Sequence, residues 1–178
     1  MALELPPPVR GRLAGWRDEA IAGRDDLRPV AADSLHVTLA FLGYRPEKEI
    51  AEIGRVTGEA VSAFRPVPFV PGGVVPVPPR RPRLFALDLE DEGELAGGAQ
   101  GALSKALARG RFYRPEKRPF WPHVTLARVK RDRQAAPLEA PPPPIEPFEA
   151  GEIVLYRSTL RPQGALYEPL FRMQLGGS

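Results

Sequence analysis

The chain of 178 residues has two histidines. Both stand in one repeated pentapeptide, His36-Val37-Thr38-Leu39-Ala40 and His123-Val124-Thr125-Leu126-Ala127. Imidazole is the side chain whose ordinary pKa lets it give or take a proton near neutrality, so two of them can divide acid and base work. In-line displacement at phosphorus needs that division: a base behind the entering oxygen and an acid beside the leaving one. Each histidine is followed at the second place by a threonine, whose hydroxyl would donate to a non-bridging oxygen where charge grows in the transition state. The scheme needs no metal and no cofactor.

Other chemistries fit less well. One histidine on a strand is more often structural, and Val-Thr-Leu is ordinary strand vocabulary, but that reading leaves the repeat unexplained. A catalytic zinc takes three protein ligands, and neither pentapeptide has an acid at a neighbouring same-face position. A Ser-His-Asp triad uses a single histidine. With no cysteine in the chain, disulfides, thiolate metal sites and cysteine nucleophiles are excluded.

The elements that must hold these residues can be read around them. Leu35, Val37, Leu39 and Phe41 alternate over 34–43, as in a strand with one buried face, and leave His36 and Thr38 on the other. Before this strand come Ala2-Leu3-Glu4-Leu5, strand-like, and a helix with Val9, Leu13, Trp16, Ala20 and Ile21 on one side. Before His123 the same order returns: Ala86-Leu87-Asp88-Leu89, then a helix carrying Leu95, Ala99, Ala102, Leu103 and Ala106. Strand, helix and His-x-Thr strand thus occur twice, which predicts an internal duplication.

The second copy has Leu84-Phe85 ahead of its first strand, where the first has only Met1. The first strand therefore reads as clipped, with a natural start a few residues upstream; an intact mass of native-source protein beginning at Met1 or Ala2 would refute this. Between the copies, Ile50, Ile53, Ala60, Val61 and Phe64 predict another amphipathic helix. The proline-interrupted stretch 66–82 predicts edge strands or short pieces and a crossing between lobes. Residues 134–147, with four consecutive prolines at 141–144, read as an extended or mobile surface spacer. Segments 151–156 and 166–175 read as a hairpin about a turn at 161–164.

The net charge is only +3, from 25 Lys and Arg against 22 Asp and Glu. The cations are unevenly placed. Arg80, Arg81 and Arg83 form one group, and a second runs from Arg109 to Arg133 around the second histidine. Such clustering suits a polyanionic ligand; the plain alternative is a solvated basic face. Phe112, Tyr113, Phe120 and Trp121 would either stack on a base or pack between lobes. No secretory pattern and no bilayer-length apolar run is present, so a soluble, cytoplasmic protein without membrane contact is expected.

These residues resemble a known family. Leu35-His36-Val37-Thr38-Leu39-Ala40-Phe41-Leu42-Gly43 and Phe120-Trp121-Pro122-His123-Val124-Thr125-Leu126-Ala127-Arg128 look like the two motifs of the bacterial and archaeal RNA 2′,3′-cyclic phosphodiesterases. These were once called 2′-5′ RNA ligases and belong to the two-histidine phosphoesterase superfamily. Leu155-Tyr156-Arg157-Ser158, Gly164 and Tyr167 resemble the family's C-terminal hairpin.

The resemblance implies an α+β, bilobal, pseudo-twofold fold in which two antiparallel sheets flank a central cleft with helices outside. The whole of 1–178 would form one such domain, with its His-x-Thr strands at 35–43 and 121–129. It implies that His36 is the proton donor to the leaving 3′ oxygen and His123 the proton acceptor from water. An RNA 2′,3′-cyclic phosphate end, tRNA fragments among them, would become a 2′-phosphomonoester, with weak reverse 2′-5′ joining. Thr38, Thr125 and Arg128 would bind the phosphate, and the enzyme would be a monomer.

The near symmetry of the sequence does not itself say which histidine is the acid. Strict alternation puts Arg128 on the face opposite His123, so the strand must end or bulge after Ala127, or Arg128 must reach round from the rim. Two other readings remain open. One is a phosphodiesterase for a small cyclic nucleotide or an ADP-ribose cyclic phosphate; the other is a non-catalytic module that binds RNA ends.

Overall fold

The computed structural model describes residues 1–161 and 164–176. The chain runs β1 (Ala2–Glu4), α1 (Pro7–Ala20), β2 (Leu27–Pro29), β3 (His36–Thr38), α2 (Ile50–Val61), β4 (Val67–Val77), β5 (Leu84–Asp91), α3 (Leu95–Arg109), β6 (His123–Val129), β7 (Phe148–Ala150), β8 (Glu152–Arg161) and β9 (Gly164–Gln174). All strand pairs are antiparallel, in the order β7-β4-β5-β6-β3-β1-β8-β9, with β2 also paired to β6. The two sheets expected from the sequence are the two halves of this one sheet. They join at the rung Val37–Val124 between β3 and β6.

The same pairing recurs in the two halves of the sheet. Glu4 of β1 lies opposite His36 of β3, and Asp88 of β5 lies opposite His123 of β6. Each pair of strands is bridged in sequence by a helix, α1 or α3. Pro7 and Pro8 open α1, where an amide would lack a partner anyway, and Val9, Leu13 and Trp16 turn inward. Helix α3 starts on the Asp91 carboxylate, which accepts from the amides of Ala96 and Gly97 at 2.9 and 2.8 Å and complements the helix dipole. That start puts Ala96, Ala99, Leu103 and Leu107 in the core and leaves Leu95 exposed, a face rotated from the expected one. Helix α2 packs on α3 and on β9. No helix among the described residues is long and apolar enough to cross a membrane.

Two expectations need correction. The strand expected over 34–43 shrinks to His36–Thr38, because the amides of Leu39 and Ala40 turn to the Met1 carbonyl at 2.9 and 3.3 Å. The stretch 66–82 holds an eleven-residue strand, β4. Its outer neighbour β7 covers only Val67 to Phe69, and a bulge lies between Pro71 and Val74, so Pro71 and Pro76 sit where a missing donor costs little. The segment 134–147 is, as expected, an extended and largely exposed stretch without helix or strand, held where Arg24 donates to the carbonyls of Ala136 and Pro137 at 2.9 and 3.1 Å and where Ile145 is buried. The hairpin strands β8 and β9 are longer than expected, and the turn expected at 161–164 lies partly outside the described residues.

Candidate active site

Antiparallel pairing at Val37–Val124 sets Thr125 across from His36 and Thr38 across from His123. Alternation sends both valines into the core at 0% exposure and turns the four polar side chains to the other face. There they line a cleft of about 870 Å³. The two histidines are therefore diagonal neighbours on adjacent strands, each with the other unit's threonine beside it. This is the arrangement a twofold-related acid and base need around one phosphorus.

Their surroundings differ. The His123 Nδ1 lies 2.8 Å from the Trp121 carbonyl, which only accepts, so Nδ1 carries a proton and the neutral ring keeps Nε2 as its acceptor. The Trp121 indole stacks on His123 with centroids 4.1 Å apart and planes 17° apart. Its Nε1 donates to Asp88 Oδ1 at 2.6 Å. Burial lowers the His123 pKa; the Trp121 carbonyl opposes this, Arg118 adds to the lowering and Asp88 opposes it.

His36 lies between two tyrosines. Tyr156 stacks on it at 5.6 Å and 24°, and Tyr167 meets it edge-on at 5.0 Å and 83°. The Tyr156 hydroxyl donates to the Glu4 carboxylate, and Arg10 donates to the other Glu4 oxygen at 2.8 Å. Burial first, then the N-terminal ammonium and His123, push the His36 imidazole down to about 4. Its Nδ1 is buried with no hydrogen-bond partner among the described residues. Burial and the link to Glu4 raise the Tyr156 pKa, so its hydroxyl stays protonated.

Arg128 reaches the cleft through a bulge. Phe85 pairs with Ala127 but Ala86 with Thr125, so Leu126 is the extra residue. Leu126 and Ala127 are both buried in succession, and Arg128 is turned back to the histidine face, where it lines the cleft. Opposite it on β2 is Arg28, which lines the cleft as well. Of the other expected cations Arg118 lines the cleft, whereas Arg80 and Arg81 do not. Trp121 packs on His123, and Phe112 packs against the core.

Sequence reasoning missed Glu4, Asp88, Tyr156, Tyr167 and Arg28 as residues around the site. A signal existed for the two acids, since each fills the third place of its Ala-Leu-acid-Leu strand. Arg28 sits on a strand of three residues that includes a proline, too short for alternation to show.

The sheet, the cleft and the paired His-x-Thr strands define a phosphoesterase-type site. Residues 5–161 match the 2′-5′ RNA ligase superfamily, and the chain belongs to that family. It is 31% identical over 193 residues to the RNA 2′,3′-cyclic phosphodiesterase of Thermus thermophilus, covering 99% of this chain and 89% of the relative. To the protein of the same name from Escherichia coli it is 32% identical over 192 residues, covering 98% and 94%. Among solved structures, E. coli LigT in apo form superposes with a TM-score of 0.81 at 26% identity, covering 99% and 95% of the two chains. LigT complexed with 3′-AMP also gives 0.81 at 26% identity, covering 99% and 96%.

Proposed function

We propose that this protein hydrolyses the 2′,3′-cyclic phosphate end of RNA to a 2′-phosphomonoester, with His36 as proton donor to the 3′ oxygen and His123 as proton acceptor from water. Thr38, Thr125 and Arg128 hold the phosphate oxygens. The observation that carries the reading is the diagonal pairing of the two histidines, one of which has its tautomer set. The bond from His123 Nδ1 to Trp121 leaves Nε2 to accept a proton, which suits the base. His36 is neutral at pH 7 until an anion lies beside it. A phosphate between the histidines favours the imidazolium, so substrate binding draws in the proton that the leaving oxygen later takes.

The cleft also suits a nucleoside. Phe41, Leu160 and Leu166 line it while 67%, 87% and 50% exposed, giving apolar surface on which a base can lie. The same reading takes tRNA fragments among the substrates, weak reverse 2′-5′ joining, and a monomer working in the cytoplasm.

The test compares wild type, His36→Ala and His123→Ala on RNA ending in a 2′,3′-cyclic phosphate, with a chelator present. The expected product is the 2′-phosphate, and each substitution should slow turnover by about 10²- to 10⁴-fold. Near-normal rates in either variant would overturn the paired mechanism. Binding without turnover by wild type would favour an RNA-end binding module.

A further inference from the structure

Each catalytic histidine is stacked on an aromatic ring, and each ring is tied by its polar end to a carboxylate on the strand next to that histidine. For His123 the ring is Trp121 and the acid Asp88; for His36 the ring is Tyr156 and the acid Glu4. The acids are equivalent by duplication, since each lies directly opposite its histidine. The rings are not. Trp121 comes two residues before its own histidine, whereas Tyr156 comes from β8 in the C-terminal hairpin. One contact has thus been built twice from unrelated segments of the chain, which argues that the contact itself is needed and is not a by-product of the repeat.

We propose that Asp88–Trp121 and Glu4–Tyr156 are two equivalent clamps that set the ring planes of His123 and His36, the aromatic residues positioning the imidazoles and the acids positioning the aromatics. The proposal rests on the acid–base reading above. A histidine on a strand is free to turn about its last side-chain bond, where the torsional wells are broad, and proton transfer in line with a phosphorus centre tolerates little misalignment. A stacked ring removes that freedom, and the carboxylate stops the stacked ring from sliding. At His123 the Nδ1 bond to Trp121 adds a second hold. At His36, whose Nδ1 has no partner among the described residues, Tyr156 and Tyr167 carry the task.

The variants to compare are Trp121→Phe and Tyr156→Phe, which keep a ring but cut its tie, Asp88→Ala, Asp88→Asn, and the double Trp121→Phe/Asp88→Ala. Trp121→Phe, Asp88→Ala and Tyr156→Phe should each lower kcat about tenfold with KM changed less than about twofold. The double variant should fall no further than its worse single, because both changes cut one link. Asp88→Asn keeps an acceptor for the indole and should restore most of the kcat lost in Asp88→Ala.

Because the chain has two histidines, its histidine Cε1–H NMR spectrum holds two signals, each shifted by the ring stacked on it. Loosening one clamp should move its own histidine's signal and leave the other in place. General destabilisation would disturb both. The proposal is overturned if the Trp121 and Asp88 losses multiply, if they fall on KM, if Asp88→Asn is as damaging as Asp88→Ala, or if the histidine signals stay put. The NMR arm reads ring order without turnover, so it tests the clamps even if wild type fails to cleave cyclic phosphate.

Discussion

The low pKa of His36 makes protein stability depend on pH in a calculable way. The imidazole falls from 6.5 to about 4 in the folded chain, so between these values the unfolded chain binds a proton that the folded chain does not. Stability therefore drops as pH falls through 6.5 and levels off below 4. The difference amounts to about 3 kcal/mol, and less to the extent that the ring edge meets solvent in the cleft.

The perturbation is His36→Asn, which cannot titrate. Urea unfolding of wild type and variant at intervals from pH 7.5 to 4 isolates the histidine, because every other titrating group is common to both. Wild type should lose about 2–3 kcal/mol more than the variant across that window. A product such as uridine 2′-phosphate, bound at saturation, should move the His36 transition upward, since the anion favours the charged ring. Parallel curves for the two proteins would falsify the claim that His36 is buried in its neutral form.

Other expectations follow from single contacts. Arg128→Ala should weaken binding of an RNA substrate and flatten the slope of log(kcat/KM) against log salt by about one, as loss of one phosphate contact does; an unchanged slope would place Arg128 outside the phosphate path. Arg24→Ala releases the carbonyls of Ala136 and Pro137 and its own pair with Asp26. It should cost about 1–2 kcal/mol and speed proteolytic nicking within 134–147, read by mass spectrometry of limited digests. Leu160→Ser should raise KM for a nucleoside 2′,3′-cyclic phosphate severalfold with kcat held, since it removes apolar surface at the cleft and touches neither histidine; a fall in kcat at constant KM would contradict that placement.

The α+β class, the recurrence of strand, helix and His-x-Thr strand, and the four residues His36, Thr38, His123 and Thr125 on one face were legible because each follows from local periodicity. What escaped depends on contacts between distant segments. Strand β3 is short because the Met1 carbonyl captures two amides that alternation assigns to the strand. Helix α3 is rotated because Asp91, outside the helix, fixes where it begins. The Leu126 bulge that aims Arg128 exists only relative to β5, and no property of Leu126 itself announces it. Strands β2 and β7, at three residues each, carry no alternation of their own and no repeated motif to mark them. Tyr156 entered the site from a hairpin distant in sequence from either histidine, so only the fold brings its ring to His36.

The rung between Val37 and Val124 carries a consequence for folding fidelity. On a strand, a slip of one residue exchanges the two faces. If β3 slid by one place against β6, the imidazole of His36 and the hydroxyl of Thr38 would enter the apolar core, and Val37 would be left facing water. The chemistry of the site and the packing of the core are thus written on alternate residues of the same three-residue strand. A misaligned chain loses both together, so a stably packed but catalytically scrambled form has no low-energy place to exist.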